Sequence, residues 1–210
     1  GLIACFGNGS ATCIFLNESG SGDGDCVEDD IEDGGPNGGD GNNDGVPDRD
    51  QDHVASLPNS VNGKYVTLAA PDGKALEDIY VIDNPAPGTE PNGAEFPIGF
   101  VHFRVGRLAP GEETTVEVFL EGGVVADTYY KYGPTADDPT DHWYEFLYDG
   151  TTGAEILPDK IVLHFIDGLR GDGDLTADGD IEDPGAPAII VPAAIYLSPT
   201  GTGTVGPTTA

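Results

Sequence analysis

Thr114-Thr115-Val116-Glu117-Val118-Phe119-Leu120 places Val116, Val118 and Leu120 on one side of an extended backbone and Glu117 on the other. Alternation with a period of two is the mark of a half-buried strand. Similar short runs, rich in β-branched and aromatic residues and bounded by Gly, Pro, Asn and Asp, recur on both sides. They predict strands over Lys64–Ala69, Leu76–Ile82, Gly99–Val105, Asp127–Tyr132, Trp143–Tyr148 and Ile161–Ile166. No stretch carries a helical period. Strands at this spacing imply an all-β fold, an antiparallel sandwich of Ig-like or jelly-roll-like form, with little helix.

Amino-terminal to that region the composition changes. Residues 17–52 have almost no apolar content and predict no conventional core. The segment Asp40-Gly-Asn42-Asn-Asp44-Gly45-Val46-Pro-Asp48-Arg-Asp50-Gln51 has oxygen-bearing side chains at alternate positions, a glycine sixth, and further oxygens at the ninth and twelfth. Ca²⁺ takes about six to eight hard oxygens at roughly 2.3–2.6 Å, and a glycine at the sixth position permits the sharp turn. The expected ligands are Asp40, Asn42, Asp44, the Val46 carbonyl, Asp48 and Gln51. A neutral amide at Gln51, where a bidentate glutamate binds best, weakens the site.

A second, less regular copy precedes it: Ser21-Gly-Asp23-Gly-Asp25-Cys26-Val27-Glu-Asp29-Asp-Ile-Glu32. Here Asp23, Asp25, Val27, Asp29 and Glu32 are the expected ligands, with Cys26 in the glycine position. The two copies lack flanking helices and so are not an EF-hand pair. A third acidic stretch, Asp167-Gly-Leu-Arg170-Gly-Asp172-Gly-Asp174-Leu-Thr-Ala-Asp178-Gly-Asp180, lacks the full pattern; Asp172, Asp174 and Asp178 are its candidate ligands. Arg170-Gly171-Asp172 spells a cell-adhesion tripeptide, which chance and loop chemistry explain far more often than recognition does.

The chain has 210 residues, 38 acidic against 8 basic, and a formal charge of −30. Half of the acids fall in residues 20–52 and 167–183, which favours cation sites over a uniformly solvated surface. Such a surface repels nucleic acid and anionic lipid. Apolar runs stay well below the ~20 residues that span a bilayer, so membrane insertion is not expected. There is no methionine, and a start at Gly1-Leu-Ile-Ala-Cys5 reads as a processed, exported chain. The same residues also fit a lipoprotein cleavage site with Cys5 lipidated.

Three cysteines imply one disulfide and one remaining thiol. Leu2–Phe6 and Thr12–Leu16 around Gly7-Asn8-Gly9 read as a hairpin that sets Cys5 opposite Cys13, the first choice of bridge; Cys13–Cys26 is the alternative. The run Ala188-Ile189-Ile190-Val191-Pro192-Ala-Ala-Ile195-Tyr-Leu197 is apolar, followed by a polar tail. Its proline suits an edge strand. The expected divisions are a hairpin over 1–16, calcium repeats over 17–58, a sandwich over 59–187 and an apolar strand with tail over 188–210.

Catalytic signals are weak. No Gly-x-Ser-x-Gly or His-Glu-x-x-His motif is present, no acid pair stands out, and His53, His102, His142 and His164 read as packing or rim residues. An enzyme is not expected. The aromatic group Tyr129, Tyr130, Tyr132, Trp143, Tyr144 and Tyr148 reads as cross-strand packing, or else as a face for surface glycans.

The acidic segment, through Pro36-Asn-Gly-Gly-Asp40 to Gln51 and Val54-Ala-Ser-Leu-Pro58, resembles thrombospondin type 3-like repeats of bacterial surface proteins. The region carboxyl-terminal to it is similar to the choice-of-anchor U domain. The matching motifs are Tyr65-Val-Thr-Leu68, Phe96-Pro-Ile-Gly99, Tyr129-Tyr-Lys-Tyr-Gly-Pro-Thr135, His142-Trp-Tyr-Glu-Phe146, Asp149-Gly-Thr-Thr-Gly-Ala-Glu155, Leu163-His-Phe-Ile-Asp-Gly168, Asp174-Leu-Thr-Ala177 and Asp183-Pro-Gly185. The resemblance implies an exported bacterial protein displayed at the cell surface, without known enzymatic activity. Leu197-Ser-Pro-Thr-Gly201 departs from a sortase signal.

The resulting expectation is an extracellular, calcium-stabilised structural protein. Its preferred form is a filament subunit that polymerises with itself head to tail, using Ile189, Ile190, Val191, Ile195 and Leu197 as an exchanged strand. The alternative is a monomeric surface module for adhesion or carbohydrate binding.

Overall fold

The computed structural model describes residues 20–192. The hairpin expected over 1–16, Cys5, Cys13, Ile195 and Leu197 lie outside the described residues. Within them, two antiparallel sheets pack face to face, as the alternating runs predict. The first contains β1 (Val54–Pro58), β2 (Tyr65–Ala69), β6 (Glu113–Leu120), β10 (Ile161–Ile166) and β9 (Gly153–Ile156), in the order β1-β2-β6-β10-β9. The second contains β3 (Ala75–Ile82), β5 (Phe100–Gly106), β11 (Ile181–Ile190), β7 (Thr128–Gly133) and β8 (His142–Glu145), in the order β3-β5-β11-β7-β8, and the short β4 (Ala94–Glu95) also pairs with β11.

Among the described residues, helix is confined to single turns, α1 (Asp29–Glu32), α2 (Pro36–Gly39) and a 3₁₀ turn at Asp48–Asp50. All three lie in the acidic segment.

The core forms where inward residues of the two sheets meet. Val116, Val118, Leu163 and Phe165 come from the first sheet, and Phe103, Val105 and Ile181 from the second. Phe165 packs edge-on to Phe103 at 6.3 Å and stacks on Phe146 at 5.5 Å, tying the layers together.

Two expected boundaries are corrected. Val54–Pro58 is a full strand of the sandwich and not the tail of the acidic repeats. Its Ala55 and Leu57 enter the core, while Ser56 faces the acidic segment. At the other end, β11 runs through residue 188. Ile189 and Ile190 pair with Glu95 and Ala94 of the same chain, so they are committed to this sandwich and not free for exchange.

β11 carries Pro184 and Pro187 although it lies between two neighbours. Its partners change along its length: β5 pairs with 181–185 and β7 with 185–188. Each proline therefore sits where one flank lacks a ladder partner to be denied an N–H.

Gly171 has a φ of +105°, and a side chain there would collide with the rings of Phe146 and Phe165. Gly171→Ala is expected to destabilise the fold by about 3 kcal/mol, from positive-φ strain and overpacking together. Denaturant unfolding measures this, and a change well under 1 kcal/mol would contradict the packing.

Candidate metal centre

The two acidic copies fold alike, offset by nineteen residues. In each, the second residue's N–H donates to the ninth residue's carboxylate: Gly22 to Asp29 at 2.7 Å and Gly41 to Asp48 at 3.1 Å. The fifth N–H reaches back to the first side chain, Asp25 to Ser21 at 3.1 Å and Asp44 to Asp40 at 3.0 Å. The seventh N–H donates to the fifth carboxylate, Val27 to Asp25 at 2.8 Å and Val46 to Asp44 at 2.9 Å. Left-handed backbone occurs at the fourth position (Gly24, Asn43) and the sixth (Cys26, Gly45) of both. Each then enters a helical turn at its ninth residue. This is a loop wound around a point, with alternate side chains converging on it.

The loops differ in what converges. In the first, Asp23, Asp25 and Glu32 bring one carboxylate oxygen each within 4.8 Å of one another, and among the described residues they are the only such group of metal-capable acids. Asp25 and Glu32 are fully buried. Asp23 Oδ2, Asp25 Oδ2 and Glu32 Oε2 have no hydrogen-bond partner. Buried carboxylate oxygens without donors are strongly disfavoured unless a cation or a proton meets them.

The energetics carry the same message. Burial pushes Asp23 above the usual carboxylate range. Burial, then the Asp23 charge, pushes Asp25 to about 8. Burial, then the charges of Asp25, Asp23 and Asp48, pushes Glu32 to about 10.

The loops rest on the outer face of the β1–β2 ribbon. Ser56 and Thr67, cross-strand partners, share a hydroxyl hydrogen bond of 2.6 Å. Ser56 donates from Oγ to Asp48 at 2.5 Å and from N to Glu32 Oε1 at 3.4 Å. Tyr65 donates its hydroxyl to the Ile31 carbonyl at 2.8 Å. Val27 seats its side chain in the core, and the Ile79 N–H donates to the Asp25 carbonyl. The acidic segment is thus docked on the sandwich rather than held apart from it.

The second loop is more open. Asp44 and Val46 are exposed, whereas Asp48 is buried and takes hydrogen bonds from Gly41 and Ser56. Asp29 and Asp48, expected as ligands, thus serve to close their loops. Asp40 and Asn42 accept backbone N–H groups, and the Gln51 amide nitrogen faces Val46 O at 3.2 Å and Asp44 Oδ1 at 3.4 Å. Its amide donors occupy the place that a cation would take. The more regular copy is therefore the shallower one, because a spacing pattern counts oxygens and not burial.

Asp172, Asp174 and Asp178 do not converge, which corrects the third expected site. Asp172 accepts from Gly168 and Glu182, Asp174 from Thr176, and Asp178 from Asp180, so these carboxylates shape the loop. The adhesion tripeptide is folded inward: Asp172 is buried, and Arg170 donates to Glu145 O, Leu147 O, Thr152 O and the Asp149 carboxylate.

Members of the aromatic group pack against neighbouring rings. Trp143 stacks on Phe96 at 5.6 Å, meets Tyr132 edge-on at 5.1 Å and donates its indole N–H to Thr89. Cys26 is disulfide-bonded.

Compared with known proteins, the chain matches no family model, no curated protein and no solved structure.

Asp25 and Glu32 hold protons in the folded, metal-free state that the unfolded chain releases near its ordinary carboxylate pKa of roughly 4. Stability of the metal-free protein therefore falls as pH rises from about 4 toward about 8–10. Glu32→Gln flattens that fall and lowers calcium affinity on the order of tenfold or more. Thermal unfolding of chelated protein across this range, and calorimetric titration of the variant, check both; a flat profile contradicts the proton-loaded trio.

Gly41 presses against Thr67, Ser56 and Asp48, leaving no room for a Cβ. Gly41→Ala is expected to lift the second loop and destabilise the protein by about 1–3 kcal/mol. Unchanged stability would place the loop off the sheet.

Proposed function

We propose that this protein is an extracellular structural module whose acidic segment is clamped onto its β-sandwich by Ca²⁺. The single observation that carries the reading is the set of three buried, unpartnered carboxylate oxygens on Asp23, Asp25 and Glu32. An all-oxygen donor set suits a hard cation, and a wound loop of adjustable ligands suits calcium over the more demanding octahedron of magnesium. Asp23, Asp25 and Glu32 hold the first ion. Asp40, Asn42, Asp44, Val46 and, with its amide reversed, Gln51 hold a second, weaker one. Binding replaces the protons on the first trio and joins α1 to the floor made by Ser56 and Thr67.

The disulfide at Cys26 supports an oxidising compartment, and calcium at extracellular concentrations suffices for loops of modest affinity. Display on a bacterial surface belongs to the same proposal. Among the described residues no helix is long and apolar enough to cross a membrane.

Within that class the finer proposal is a self-assembling filament subunit, joined head to tail through the apolar run that continues past Pro192. Its support is local. Ile190 and Val191, where β11 ends, are large apolar residues left 38% and 43% exposed.

Limited proteolysis with and without chelator tests the clamp. Calcium removal at neutral pH is expected to open residues 20–52 to cleavage while β2–β11 stay resistant. Equal protection in both conditions would overturn the reading. Light scattering of the calcium-loaded chain, intact and truncated after Pro192, tests assembly: growth that the truncation abolishes supports the filament, and a monomer in both contradicts it.

A further inference from the structure

We propose that Lys131 and Asp183 become covalently joined, the Lys131 Nζ forming an amide with the Asp183 side-chain carbonyl and cross-linking β7 to β11. Both side chains are inside the sandwich, 2% and 0% exposed. Lys131 lies opposite Gly185 in the ladder, so Asp183 is its diagonal neighbour on the same inward face. Gly185 has no side chain, and the Tyr129 ring fills that space, its hydroxyl donating to Asp183 Oδ2 at 3.4 Å.

The amine and the Asp183 carboxyl group form a buried pair, with Nζ 2.5 Å from Oδ1. The amine also donates to the Gly171 carbonyl, beneath Phe146 and Phe165, whose ring centres lie 5.2 and 5.3 Å away.

Condensation of an amine with an acid needs both partners neutral, close, aligned and dry. Burial lowers the Lys131 pKa and raises that of Asp183, which shifts the pair from ammonium and carboxylate toward amine and carboxylic acid. Proximity in a fixed orientation replaces a bimolecular encounter. The Gly171 carbonyl accepts a hydrogen bond from one amine hydrogen, which stays on the nitrogen, and so turns the nitrogen lone pair toward Cγ. The Nζ–Cγ bond forms, the Cγ–Oδ1 bond breaks, and the Oδ1 hydroxyl leaves as water with a proton from the amine. Tyr129 holds Oδ2, which remains as the amide carbonyl. The surrounding aromatic side chains keep water away from the reverse step.

The test is the mass of the intact protein, purified in its native fold, then denatured, reduced and freed of metal. The expected value is one water below the sequence mass, with a branched proteolytic peptide joining the segments around Lys131 and Asp183. Lys131→Met and Asp183→Ala each restore the full mass of their own sequences, and this readout does not depend on how well the variants fold. The full sequence mass in the wild-type protein overturns the proposal. So does a missing water that maps elsewhere, such as a succinimide at an Asp-Gly step, with no branched peptide.

Discussion

Three carboxylates, each with one oxygen turned inward that no donor meets, set the terms for the acidic segment of this protein. Asp25 and Glu32 are fully buried, and each keeps an oxygen that no N–H or O–H reaches. Sharing such a space as anions is prohibitive, so the trio takes up protons or a cation. Its surroundings are compatible with the proposed cation. Backbone N–H groups satisfy the outer oxygens, left-handed turns at Gly24 and Cys26 aim the inner ones, and the β1–β2 ribbon supplies a polar floor. In the proposed calcium-bound form the same residues that resist packing become the fastening.

The sandwich supplies what the loops lack. Its outer face at β1 and β2 offers Ser56 and Thr67 where an ordinary covered face has aliphatic residues. That polar pair lets an acidic segment lie flat on a sheet. The contact is not wholly polar, since Val27 reaches the core. Coverage also protects β1, an edge strand that would otherwise present unpaired backbone groups.

Much of the fold was legible because period-two alternation is a direct consequence of one buried face. It marked Thr114–Leu120 and Ile161–Ile166 to within a residue of β6 and β10. β11 was hidden: Pro184, Gly185 and Pro187 break the pattern, and its inward Asp183 reads as a surface residue. Lys131 misleads in the same way, since a lysine between tyrosines suggests the outer face, although it shares its parity with buried Tyr129. β1 was lost to the acidic segment that precedes it. At the candidate site, spacing located both loops and named Asp23, Asp25 and Glu32. It ranked the loops by regularity, whereas depth depends on Ser56, Thr67 and Tyr65, residues distant in sequence. One signal was available: Glu32 holds the twelfth position where Gln51 stands in the more regular copy.

The central claim is that an ion sits among these three side chains. A crystal structure of the calcium-saturated protein, with anomalous scattering measured, tests it most directly. The account predicts a calcium peak roughly 2.3–2.6 Å from oxygens of Asp23, Asp25 and Glu32. A calcium-saturated crystal with no peak there, and the three carboxyl groups hydrogen-bonded to one another through protons, would contradict it.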